Sequence, residues 1–139
     1  MIHVARAKPG FSLIELMIVL AIGAILTAGV IGAFKWIATA KVSRTEQTLR
    51  VIKSSIEIFQ AKVGEFPSSL DDLFIRPSNP AMAKRWSAGA YGVDAESDIK
   101  DAWGSRIQYQ RKAKGQPPYE LYSWGPNGEG SPDSEWVTG

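Results

Sequence analysis

At 139 residues and 15.2 kDa the chain fits one compact domain, and a long segment spent elsewhere leaves that domain near the smallest size a core supports. It has no Cys and a single His, His3, which excludes disulfide stapling, thiolate catalysis and Cys-based metal sites and argues against a soluble hydrolase or metalloenzyme. Subtracting 14 Asp and Glu from 16 Lys and Arg gives +2, an excess that Arg6 and Lys8 supply alone, so residues 11–139 are formally neutral and lack the basic balance of a nucleic-acid binder.

Residues 1–10 read as a short basic leader. From Leu16 to Phe34 run 19 residues without a charge, which at about 1.5 Å per helical residue is long enough to cross a hydrocarbon core of about 30 Å. A secretory signal has a shorter apolar region with a small residue after it; here the small residue, Gly10, comes before it. The acid Glu15 interrupts this apolar setting, and a carboxylate near lipid costs several kcal/mol unless it is paired. No cation of the chain lies at helical spacing from it. Cutting after Gly10 would create one, an α-amino group on Phe11 with an ordinary pKa of about 7.7–8.0. With that amine on a neighbouring copy, each subunit would neutralise the charge of the next.

Gly10-Phe11-Ser12-Leu13-Ile14-Glu15, between a basic leader and an apolar run, resembles the processing signal of type IV pilins and pseudopilins. The resemblance implies cutting between Gly10 and Phe11 by a prepilin peptidase that also methylates the new amine, and it makes Glu15 the assembly residue.

Beyond the apolar run, Lys35 to Val63 reads as a continuing amphipathic helix. Leu49, Ile52, Ile56, Phe59 and Val63 recur at steps of three and four, which calls for a partner surface. Gly64 and Pro67 mark the stop. Gly29 and Gly32 weaken the helix locally, and read equally as softening on assembly or as close helix packing in the membrane. Pro67 to Leu73 is expected to start a short second helix, capped by Ser68 or Ser69, with Asp71 and Asp72 in its first turn rather than as an acid–base pair. Residues 75–100 lack periodicity and hold Pro77, Pro80, Gly89 and Gly92, so a long surface loop is expected there, with Asp94, Glu96 and Asp98 as a solvated acidic run. Arg106–Lys112 and Tyr119–Trp124 alternate as two strands of a hairpin, joined by 113–118 and laid on the helix stripe.

Asp101-Ala102-Trp103-Gly104 and Leu121-Tyr122-Ser123-Trp124-Gly125-Pro126-Asn127-Gly128 are similar to the head of the type II secretion major pseudopilins. That likeness implies an α+β, type IV pilin-like fold: a long N-terminal helix, half transmembrane and half amphipathic, packed on a small antiparallel sheet. It divides the chain into a leader (1–10), a transmembrane and assembly helix (11–35) and a periplasmic head (36–139).

In the C-terminal loop Asn127, Glu129, Ser131, Asp133 and Glu135 alternate with Gly and Pro, which reads either as hard oxygen ligands for calcium or as a polar tail. Carried over from the pseudopilins, a calcium site would fall on Asn127 and Asp133, with carbonyls of Trp124 and Glu129; Asn127 stands where the family has Asp and removes a charge.

The function implied is structural and not enzymatic: a subunit of the type II secretion pseudopilus, held single-pass in the inner membrane with its head in the periplasm. Its expected partners are identical subunits, minor pseudopilins, the prepilin peptidase and an inner-membrane assembly platform. The alternatives are a type IV or competence pilus subunit and a membrane-tethered periplasmic enzyme. The latter would need a catalytic constellation that the carboxylates, Ser, Lys and Tyr do not form.

Overall fold

The structure is a computed structural model that describes residues 10–112 and 117–139, with the side chains of residues 31 and 32 outside that description. The leader residues His3, Arg6 and Lys8, the softening expected at Gly32 and most of the hairpin connection therefore lie beyond the described residues. Two compact units divide the chain, Met1–Ala38 and Thr39–Gly139.

Helix α1 spans Leu13–Val63. In the first unit its large apolar side chains from Leu13 to Val30, and that of Phe34, are exposed, and since Leu16 through Leu20 are consecutive they point in every direction around the axis. A helix apolar on all sides finds its environment in lipid or among other helices rather than in water.

In the second unit the stripe does what its spacing demands. Leu49, Ile52, Ile56 and Phe59 are each 0% exposed and Val63 is buried beside them. The helix stops at Gly64, whose φ of +91° is the left-handed conformation glycine adopts without a Cβ penalty, and its N–H donates to the Gln60 carbonyl at 2.8 Å. Arg85 Nη1 donates to the Val63 carbonyl at 3.1 Å, satisfying one of the carbonyls a helix end leaves unpaired; a Cβ on Gly64 would stand 2.9 Å from that same nitrogen.

A 3-10 turn at Leu70–Leu73 follows with Ser69 at its N-cap position, as expected, but the cap works in the other direction. The Asp72 carboxylate accepts from the backbone N–H groups of Ser68 (2.7 Å) and Ser69 (3.3 Å), while Asp71 pairs with Arg106 at 2.8 Å.

The segment 75–100 is not the surface loop its lack of periodicity suggested. It carries helix α2, Pro80–Ala83, started by the Asn79 side chain, and a 3-10 turn at Glu96–Ile99. Met82, Tyr91, Val93 and Ile99 from this stretch are buried in the same core as the stripe. Tyr91 lies against Phe59 with ring centroids 5.1 Å apart, and its hydroxyl accepts from the Ser87 N–H. Single apolar residues between turns carry no period, which is why the sequence hides them. In the acidic run, Asp98 caps the second 3-10 turn by accepting from the N–H groups of Asp94 (3.0 Å) and Ala95 (3.1 Å), and these bonds hold its carboxyl below the usual value.

The sheet is antiparallel in the order β1-β2-β3, with β1 at Gln108–Arg111, β2 at Tyr119–Ser123 and β3 at Val137–Thr138. Tyr109 pairs with Leu121 across the hairpin, and Ser123 pairs with Val137. The two expected strands are thus present, β1 shortened at both ends and β2 by its last residue, and β3 is an addition. Ile107 and Val137 are buried, and Tyr109, Tyr119 and Leu121 pack on the core. A long N-terminal helix packed on a small antiparallel sheet is the α+β, pilin-like arrangement.

Candidate functional site

Three places concentrate the motif residues. At the N-terminal end Gly10 and Phe11 are exposed, Phe11 at 85%. Ser12 precedes the helix and Glu15 is its third residue, so the Glu15 carboxylate reaches back and accepts the Ser12 N–H at 3.0 Å. Ser-x-x-Glu ahead of an apolar run is the capping-box spacing, a signal readable in the sequence that the apolar context concealed. Glu15 is therefore satisfied by a backbone donor at the positive end of the helix dipole.

The second place is a buried polar hub that ties the two head motifs to α1. Asp101, 7% exposed, accepts from the N–H groups of Trp103 and Ser105, both at 2.9 Å, on one oxygen and from the Ser123 hydroxyl at 2.6 Å on the other. Ser123 Oγ in turn accepts the Gly125 N–H at 3.0 Å. The Ala102 N–H donates to Thr45 Oγ1 at 3.1 Å, and that hydroxyl donates to the Lys41 carbonyl. Gly104, at φ +91°, closes the turn. Asp101-Ala102-Trp103-Gly104 thus clamps the start of β1 to the end of β2 and to the helix. Thr45 and Ser123 were not singled out from the sequence; their partners lie 57 and 22 residues away, beyond any local pattern.

The third place is the C-terminal loop. The Trp124 carbonyl accepts the Ser131 hydroxyl at 2.7 Å, and the Asn127 amide donates to the Glu135 carboxylate. The Trp136 indole N–H donates to the Ser131 carbonyl at 3.0 Å, and its ring stacks on Tyr122 with centroids 4.0 Å apart and planes 7° from parallel. Gly125 needs its lack of a side chain here, because a Cβ would come within 2.5 Å of the Glu135 carbonyl oxygen. Glu129 and Asp133 stand exposed. Of the four residues that a calcium site would use, Trp124 accepts the Ser131 hydroxyl through its carbonyl, and Asn127 is tied to Glu135 through its amide N–H group, which leaves its Oδ1 open. Among the described residues no three acidic, His or Cys side chains gather about one point.

Comparison with known proteins converges on one family. Residues 33–136 match the profile for the type II secretion system protein G, and residues 5–31 match the prokaryotic N-terminal methylation motif. A type II secretion system core protein G of Xanthomonas campestris pv. campestris is 32% identical over 122 residues, covering 87% of this chain and 80% of that protein. One of Pseudomonas aeruginosa with the same name is 30% identical over 135 residues, covering 94% and 92%. No solved structure matches the chain. The methylation motif coincides with the leader, Gly10, Phe11, Glu15 and the apolar run, and the protein G profile takes in the polar hub and the C-terminal loop. The chain belongs to the type II secretion system protein G family, the pseudopilins that are structural subunits of the pseudopilus.

Proposed function

We propose that the chain is inserted as a single-pass inner-membrane protein with its head in the periplasm, is cut between Gly10 and Phe11 by a prepilin peptidase and methylated on the new amine, and then polymerises. Identical subunits and minor pseudopilins share the fibre, an inner-membrane platform assembles it, and its growth drives protein export. The chain's own role is mechanical, and it carries out no catalysis. The observation that carries this reading is Glu15: an acid at the start of a helix whose following apolar side chains are exposed on every face. Once Phe11 becomes the first residue, Ser12 still donates to Glu15, and one carboxylate oxygen remains for the methylated amine of a neighbour. That ion pair forms in an apolar setting where an unmatched carboxylate costs several kcal/mol.

Mass spectrometry of the protein from its native membrane tests the processing step, with a chain starting at methylated Phe11 as the expected result. Replacing Gly10 with a bulky residue should leave a precursor about ten residues longer, since the leader stays attached. Normal mobility of that variant on a gel would count against the cut.

A further inference from the structure

The C-terminal loop has the composition of a calcium loop and the contacts of something else. Its first ligand position is Asn127, whose side chain donates to Glu135, the acid otherwise free to make good the missing charge. The backbone oxygen that a cation would take, that of Trp124, accepts the Ser131 hydroxyl at 2.7 Å. Ser131 is held from its other side, with its carbonyl accepting the Trp136 indole N–H at 3.0 Å and its N–H donating to Gly128 at 3.1 Å. The Trp136 ring lies flat on Tyr122 of β2, and the chain then enters β3 with Val137 opposite Ser123. These contacts tie the loop to itself and to β2, and Ser123 at its base also belongs to the Asp101 hub.

We propose that the loop from Trp124 to Trp136 is locked by Ser131 and Trp136 in place of a metal ion, and that the stability of the head is independent of calcium. The loop needs a fixed shape because its two ends, Ser123 and Val137, are paired strand residues facing the core. A hydroxyl that bridges Trp124 and Gly128 through its own residue does this without charge. The acids Glu129 and Asp133 are left in solvent.

The test is thermal melting of the full chain in detergent micelles, followed by tryptophan fluorescence, in chelator and in excess calcium. A loop site with a dissociation constant near 10⁻⁴ M, given about a hundredfold excess of calcium, would raise the midpoint by about 10 °C. The expected result is the same midpoint in both conditions. Ser131→Ala is expected to lower it by about 5 °C in both alike, as the loss of one hydrogen bond does in a domain of this size. A calcium-dependent rise in the unaltered chain overturns the proposal, as does a Ser131→Ala midpoint equal to that of the parent. Neither result bears on processing or polymerisation, which are read by separate assays.

Discussion

Asp101 shows how much of the head depends on one carboxylate. Three donors point at it, two from its own turn and one, the fully buried Ser123 hydroxyl, from β2. Asp101→Ala leaves those donors unmatched and should cost about 3 kcal/mol, seen as a lower urea midpoint with unchanged slope. Thr45→Val keeps the shape but removes the acceptor for the Ala102 N–H, so a loss of about 1 kcal/mol is expected. Tyr109 gives a prediction in pH. Its hydroxyl donates to the Pro67 carbonyl at 2.8 Å, and burial pushes its pKa up to about 12, only partly offset by Arg111. The folded value lies above the unfolded value of about 10, so the stabilisation is complete below about pH 10 and is lost as pH rises through about 12. Urea midpoints should fall across that window. Tyr109→Phe should flatten the decline, leaving a smaller one from Tyr119, whose burial raises it in the same direction.

At the scale of elements, legibility followed periodicity. The five stripe positions of α1 and its stop at Gly64 could be read directly, because a 3.6-residue repeat and a left-handed glycine are local signals. The two hairpin strands could be read for the same reason. The segment 75–100 could not, since Met82, Tyr91, Val93 and Ile99 enter the core one at a time from turns. β3 is two residues long, too short to alternate. The site residues divide likewise: Gly10, Phe11 and Glu15 form a contiguous motif, whereas Thr45 and Ser123 matter only through distant partners. Phe59 is where the legible and hidden parts meet, on the stripe and against Tyr91. Phe59→Ala should therefore cost about 3–5 kcal/mol and loosen the 75–100 segment with the helix, giving faster amide exchange near Tyr91 as well as around residue 59. Exchange confined to the helix would contradict that coupling.

At the scale of the whole molecule, charge is sparse where apolar surface is large. Beyond Glu15 no charge occurs before Lys35, and the large apolar side chains described between them stand exposed. Glu15→Ala makes this segment more apolar, so insertion and cutting should proceed normally. It also removes the group that would pair with a neighbour's amine, and fibre yield should fall by orders of magnitude if the pair is worth several kcal/mol. Cross-linking or shearing assays of fibre would read this; normal fibre yield from a correctly cut variant contradicts the pairing.

The exposed apolar helix has one more consequence, for reversibility. Lipid tails are about as apolar as leucine, so moving these side chains from bilayer to a bundle of like helices exchanges one hydrocarbon-like medium for another and releases little hydrophobic free energy. The transfer is close to balanced apart from polar terms and packing. On the proposed reading, subunits in the membrane would act as a reservoir in exchange with the fibre, and polar terms such as the Glu15 pair, rather than the apolar helix, would hold them in it. A fibre built on such an exchange would return its subunits to the membrane without unfolding them.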